Sequence, residues 1–379
     1  MNDLTLLIKD FQDIAGNPGA QFKKYLAAGK KVVGCMPYYC PEELVYAAGM
    51  VPFGLWGAQM QVSDAKRYFP AFICSILQTI LELGIRGSYK GMSAVMIPIM
   101  CDSLKCMPGN WENSVQDIPV INVAHAQNRK IAAGVEFTAS QYRKIKAQLA
   151  RLSGTDITDE AIGLAVASCN KHRSVMRRLS AMMGGHPDIF TPAVRNAIFK
   201  SAWFTDVLVH TRMAEKLITL LTELKPAVWT GIKVVTTGII ADDPEFLSIL
   251  EDNKIAVIDD QVAHESLAYR DDVPVTDDPI MGLAQRIGNI EGCTFLYDPG
   301  KQRGKMLIDL VKKSGADGVI YVMTKFCDPD EYDYVPLKGM LDAAGIPNVL
   351  IETDQQATGL GQVRTALETF AEILQLKRY

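Results

Sequence analysis

Short apolar runs bounded by turn residues recur at both ends of this chain. They lie at 30–34, 50–54, 94–100 and 119–123, and again at 233–238, 255–260, 318–323 and 347–352. Continuous rather than alternating apolarity predicts strands buried on both faces. Between them the pattern switches to a 3.6-residue period, at about 44–49, 75–83, 244–253, 307–314, 334–345 and 361–374. Strand, helix, strand predicts parallel pairing. Residues 1 to about 28 read as helix around a turn at Asn17-Pro18-Gly19. From 136 to about 225 strand signals vanish. Helices are predicted at 141–152 and 159–183, from Thr191-Pro192 by the cap-then-proline rule, and at 207–224 before Pro226. The stretches 58–66 and 265–300 show no clear pattern.

This pattern predicts an α/β fold: two Rossmann/flavodoxin-like parallel-sheet domains with a helical insert between them. The expected boundaries are 1–135 for the first α/β domain with its N-terminal helix, 136–228 for the helical segment and 229–379 for the second α/β domain. A length of 379 residues suits two or three domains. Apolar residues are 48% and charged residues 22%, which is the balance of a soluble globular chain. The net charge of -4, with no basic arm and no zinc-finger spacing, argues against nucleic acid or an anionic membrane as partner. The first ten residues carry acids where a secretion signal would be basic, and no apolar run reaches membrane-spanning length, so a cytoplasmic location is expected.

Eight cysteines in such a chain are not a disulfide framework, because the cytoplasm keeps thiols reduced. Free cysteines are often simply buried apolar residues. That reading weakens where the thiol sits on a strand-end loop. Cys101 follows the 94–100 run, and Cys327 follows 318–323. In open α/β sheets the carboxyl ends of strands are where ligands bind. Cys74 lies in the expected first turn of a helix, where backbone N–H groups and the dipole favour a thiolate. Thiols on different α/β units can meet in a cleft between them. There are no Cys-x-x-Cys pairs for zinc, whereas an iron–sulfur cluster accepts scattered thiolates. Cys74, Cys101 and Cys327 therefore form a candidate ligand set, with packed thiols as the competing reading. Cys169, mid-helix, and Cys293, beside Gly292, are expected to be packing residues. Packing is also favoured for Cys35, Cys40 and Cys106, although Cys40 and Cys106 are admissible as a fourth ligand.

Nucleotide and hydrolase motifs are absent. The run Gly300-Lys301-Gln302-Arg303-Gly304-Lys305 resembles a phosphate loop, but its glycine spacing is short and Met306 replaces the required Ser or Thr. It reads as a basic loop facing solvent. No histidine pair has metalloprotease spacing, and no Gly-x-Ser-x-Gly elbow is present.

Several motifs together resemble a known family. They are Gly34-Cys35-x-Pro37-x-Tyr39-Cys40-Pro41-Glu42-Glu43, Tyr68-Phe69-Pro70-Ala71-Phe72-x-Cys74-Ser75, Cys101-Asp102-Ser103-Leu104-Lys105, Ile290-Glu291-Gly292-Cys293 and Met323-x-Lys325-Phe326-Cys327-Asp328-Pro329-x-Glu331-Tyr332-Asp333. In this order they resemble the 2-hydroxyacyl-CoA dehydratase family, which includes benzoyl-CoA reductase subunits, and within it the smaller β subunits. The resemblance implies a [4Fe–4S] cluster held by Cys74, Cys101 and Cys327 in a cleft between two α/β domains. It implies a heterodimer with a larger α subunit, which binds most of the 2-hydroxyacyl-CoA, and a transient ATP-dependent iron–sulfur activator protein. An electron from the activator would be relayed to the substrate thioester, whose ketyl radical anion expels the hydroxyl and leaves a 2-enoyl-CoA. Lys105 and Lys325 would either stabilise the reduced cluster or simply be solvated. A benzoyl-CoA-reductase-like subunit or a paralogue is the alternative within the superfamily. A cluster-free, two-lobed binding protein is the alternative outside it.

Overall fold

The structure is a computed structural model describing residues 3–37, 39–357 and 359–376. Met1 and Asn2 of the expected first helix, and Tyr38 of the first strand-end loop, lie outside the described residues. Two helices stand where one interrupted helix was expected, α1 (Asp3–Gly16) and α2 (Pro18–Ala27). Asn17 ends one and caps the next, accepting from Ala20 N at 3.0 Å with Pro18 behind it. The first sheet region is β1 (Val32–Cys35), α3 (Glu42–Ala47), β2 (Val51–Gly54), α4 (Ser75–Ile85), β3 (Ala94–Pro98), α5 (Asp102–Ser114) and β4 (Val120–Val123). Four helices follow: α6 (Ala132–Ser153), α7 (Asp159–Met183), α8 (Pro192–Ala202) and α9 (Val207–Thr222). The second sheet region opens with β5 (Ile232–Gly238), α10 (Pro244–Asp252), β6 (Ile255–Val262), α11 (Ser266–Tyr269) and α12 (Pro279–Asn289). It continues through α13 (Gln302–Ser314), β7 (Gly318–Thr324), α14 (Asp328–Ala343), β8 (Asn348–Thr353) and α15 (Gly361–Leu376).

All strand pairs are parallel. The first sheet runs β2-β1-β3-β4 and the second β6-β5-β7-β8. Helices cover both faces, so β1, β3 and β7 are buried along their whole length. In each sheet the chain leaves one central strand in one direction and returns on the other side of it. The switch points therefore fall between β1 and β3, and between β5 and β7, where crevices open at the carboxyl ends of strands.

The two sheet regions meet through side chains. Gln355, just after β8, donates its backbone N–H to Ser75 Oγ at 3.0 Å and its side-chain amide to Trp56 O at 3.3 Å. Trp56 Nε1 donates to Asp242, which also pairs with Lys200 on α8. Helices α7, α8 and α9 enclose an apolar centre of their own around Met176, Phe199 and Leu217, joined by Phe11 of α1.

The unpatterned stretches fold by tertiary capping. The carboxylate of Glu82, on α4, accepts from Asp64 N, Ala65 N and Ser63 Oγ at 2.8–2.9 Å and so shapes residues 63–65. Asp278 accepts from Ile280 N at 3.0 Å and Met281 N at 3.2 Å to begin α12. Among the described residues no helix is long and apolar enough to cross a membrane.

Candidate functional site

Cys74, Cys101 and Cys327 line one cavity, with about 580 Å³ of atom-free space between the two sheets. Its walls come from both switch points: Met36 after β1, Pro98 and Cys101 after β3, Ile239 after β5, and Phe326 and Cys327 after β7. The fourth side is α4, which presents Ile76, Leu77 and Ile80. The lining is mostly apolar, so the cavity offers thiols and few other polar groups.

Each of these cysteines is the N-cap of a different helix. Cys74 stands at the N-cap position of α4, Cys101 at that of α5 and Cys327 at that of α14, and of the three only the Cys101 side chain makes a capping hydrogen bond. Cys74 thus precedes the helix rather than sitting in its first turn, because 69–73 folds as a bend. Cys101 Sγ accepts from Leu104 N at 3.4 Å. Phe326 takes a left-handed conformation, φ 61°, and turns the chain from β7 into α14 at Cys327. Three helix dipoles thereby direct their positive ends at one cavity.

Burial nevertheless dominates the thiol chemistry. It pushes the Cys74 thiol to about 12, against the N–H groups of Leu77 and Ile76 and with Cys101 nearby adding to the rise. It raises Cys101 against Leu104 and Ser103 N–H. Cys327 goes well above the ordinary range by burial, then by the nearby Asp330 and Cys74 charges. Mutual repulsion and a dry cavity keep the three thiols protonated until a cation compensates them. That is the donor chemistry of a thiolate-bound metal group. Among the described residues no three His, Cys, Asp or Glu side chains are close enough to hold a single metal ion.

His264 also lines the cavity, buried beside Trp56 at 4.1 Å between ring centroids. Burial holds its pKa at about 3, so the ring is neutral, and Nδ1 lies 2.8 Å from Ile239 O. No pattern near His264 in the chain announces this position. It depends on β6 lying beside β5.

The remaining cysteines diverge. Cys35 and Cys293 are buried core residues, and Cys169 is buried in mid-helix α7. Cys106 is exposed on α5, away from the cavity lining. Cys40 lines a separate cavity. Lys105 pairs with Asp102 at 2.8 Å on the surface, and exposed Lys325 sits over the Phe326 ring at 5.2 Å. Neither lysine lines the cysteine cavity.

The basic loop differs from expectation. Gln302–Lys305 forms the first turn of α13, and Arg303 is only 4% exposed. Its Nη1 donates to Asp330 Oδ1 at 3.0 Å, Asp333 Oδ2 at 2.9 Å and Tyr321 OH at 2.9 Å. Its Nη2 donates to Thr237 Oγ1 at 3.1 Å. Arg303 therefore ties the first turn of α14, which carries Cys327, to the second sheet. A charge-rich run reads as solvated, and only the fold places two aspartates against it.

Two parallel sheets that turn their switch points toward a shared set of thiols at helix N-termini define a class of α/β proteins built around a cleft between two sheets. This chain belongs to the family described as 2-hydroxyglutaryl-CoA dehydratase, D-component, whose model matches residues 37–374. It is 46% identical to the (R)-phenyllactyl-CoA dehydratase beta subunit of Clostridium sporogenes, over 99% of this chain and 100% of that protein. It is 39% identical to the (R)-2-hydroxyglutaryl-CoA dehydratase subunit beta of Acidaminococcus fermentans, over 98% of this chain and all of that one. The lactoyl-CoA dehydratase subunit beta of Anaerotignum propionicum is 37% identical over 99% of this chain and its own full length.

Proposed function

We propose that this chain is the β subunit of an oxygen-sensitive (R)-2-hydroxyacyl-CoA dehydratase, a hydro-lyase, and that Cys74, Cys101 and Cys327 hold a [4Fe–4S] cluster. Three cysteines at the N-terminal ends of three helices, all lining one apolar cavity, is the observation that carries this reading. The relatives named as dehydratase beta subunits along the full chain support it, and their names imply an α subunit as partner. The donor set fits the group: three soft ligands, three N–H-rich helix ends and a dry wall. A cubane has width of its own, so thiolates around it stand further apart than ligands of a single ion.

When bound, the cluster supplies a one-electron carrier whose potential follows burial and hydrogen bonds to sulfur. The chain's own residues then do three things. The cysteines fix the group between the sheets. The N–H groups of Leu77, Leu104 and Asp330 face the ligating sulfurs and favour negative charge. Ile76, Leu77, Ile80 and Phe295 keep water away.

The cavity presents little acid–base chemistry, since His264 is neutral and Asp328 lies exposed on its lining. This favours a relay over a site of water elimination. The electron would come from the ATP-dependent activator and pass to the α subunit, where most of the 2-hydroxyacyl-CoA is bound.

Anaerobic protein analysed for iron and acid-labile sulfide, with EPR after dithionite, is the test. About four irons per chain and a reducible cubane signal are expected. Cys101→Ser and Cys327→Ser should lose iron while Cys169→Ser keeps it. Equal iron in all three variants would defeat the ligand assignment.

A further inference from the structure

A second cavity, with about 680 Å³ of atom-free space, lies where all three parts of the chain meet. Its enclosed room is that of a few waters, which suits a ligand of only a few heavy atoms. Pro37 borders both this cavity and the cysteine cavity, which places the two back to back. One wall is charged and the other is apolar.

The charged wall holds two acids and two bases. Glu43 and Arg173 are hydrogen-bonded to each other and almost fully buried, at 2% and 8% exposure. They neutralise one another. Glu42 and Arg286 form no ion pair with each other or with any other described residue, and among the described residues nothing hydrogen-bonds to the Glu42 carboxyl. Arg286 is held in place from behind, donating from Nε to Asp271 O at 2.8 Å and from Nη2 to Ala268 O at 2.9 Å. Its Nη1 has no partner among the described residues. The apolar wall is Pro37, Ala202, Trp203, Val207 and Ala268.

A partly buried guanidinium fixed by two backbone carbonyls, acted on by Glu43 and Asp271 that are each already paired with another arginine, is left short of a partner of its own whenever the Glu42 carboxyl is neutral. Buried charges are paired in folded proteins. We propose that this cavity binds a short-chain monocarboxylate. Its carboxylate would lie on Arg286 and accept a hydrogen bond from protonated Glu42, with its alkyl chain against Trp203 and Val207. The inference stands on the cavity alone and survives an iron-free preparation.

Glu42 sets a pH dependence. Burial, and then the charge of Glu43, raise its pKa to about 7 against Arg173 and Arg286. Tyr39, Tyr46, Tyr269, Cys35 and Cys169 nearby all have pKa values above their usual range and stay neutral, and the Cys40 thiol also lines the cavity. His172 is held neutral by burial and by His210 beside it. Raising the pH therefore adds a negative charge where the ligand carboxylate must sit.

The test is titration of the anaerobically purified protein, with its partner subunit, using carboxyl-13C propionate and following line broadening by NMR. Saturable broadening is expected, weakening about thirtyfold between pH 6 and pH 8.5. Arg286→Gln should weaken it by at least about tenfold. Because Arg286 also braces two carbonyls, Glu42→Gln provides the second arm: it should bind at pH 6 and lose the pH dependence. Any signal from the partner subunit is unchanged in both variants and is subtracted. Propionamide should compete in neither. Unsaturable broadening overturns the proposal. So does saturable binding that both variants leave untouched, or wild-type affinity equal at pH 6 and pH 8.5.

Discussion

Replacing Arg303 by Met removes the only cation in hydrogen-bond contact with Asp330 among the described residues, and Asp330 is completely buried. Met fills much of the same volume, so the change acts through charge. Four hydrogen bonds from the guanidinium are lost, three to Asp330, Asp333 and Tyr321 and one to Thr237. Breaking a buried pair from one side costs about 3–5 kcal/mol, because the remaining charge is left without compensation. Asp333 retains some exposure, so its share is the smaller. The loss lowers the folded-to-unfolded ratio by roughly two to three and a half orders of magnitude.

The sign of the pH dependence follows from Asp330. Burial already raises its pKa above the usual carboxylate value, with Arg303 opposing. Without Arg303 that pKa rises further. An acid with a raised folded pKa costs its full penalty above that pKa, and the penalty shrinks as the pH falls from there toward the unfolded value. The deficit of the variant should therefore shrink toward acid pH. Urea midpoints of anaerobic wild type and Arg303→Met, measured at pH 5 and pH 8, provide the assay. Combining Arg303→Met with Asp330→Asn should recover about 2 kcal/mol at pH 8, the coupling expected of contacting residues. A single-variant cost below about 1 kcal/mol at pH 8, or no recovery in the double variant, would refute the reasoning.

Further outcomes follow from other parts of the fold. Burial and nearby Asp260 push Glu265 to about 8, so wild-type stability should fall as pH rises toward 8 and level off above it; Glu265→Gln should flatten that fall in urea midpoints. Gly238→Ala places a Cβ 2.1 Å from Val322 O at a φ of +147°, so about 1–3 kcal/mol of strain should appear as a lowered thermal midpoint, whereas Gly109→Ala, with open space at an exposed position of α5, should raise it slightly. Asp206→Ala removes the cap on Leu208 and Val209 N–H and should cost about 1 kcal/mol by urea denaturation.

Strands were the most legible part of the chain, because both faces of each sheet are covered and apolarity is continuous. All eight predicted runs overlap strands, with ends shifted by a residue or two, as at Val32–Cys35 and Ile255–Val262. The start of α6 was less legible: it begins at Ala132 rather than near 141, since Ile131 offers no side-chain cap. Residues 63–65 carry no period of their own because a carboxylate from α4 shapes them. In 265–300 the Asp278-Pro279 start signal is present in the chain, yet the helix it opens is flanked by irregular backbone. At the site, the strand-end positions of Cys101 and Cys327 were legible from the apolar runs before them. Their convergence with Cys74 was not, since it depends on the Gln355–Ser75 contact between the sheet regions. Glu42, Arg173 and Arg286 lie on three separate helices, and no spacing in the chain links them.

The cysteine cavity has a biosynthetic consequence. Its walls run from Met36 to Pro329, and no single sheet region builds more than part of it. During translation Cys74 and Cys101 leave the ribosome long before β7 and the turn at Phe326. Whatever occupies the cavity therefore has no complete receptacle on the nascent chain. Loading has to follow near-complete synthesis and the closing of one sheet region on the other, and a truncated chain ending before residue 318 would expose two orphan thiols rather than a smaller version of the same site.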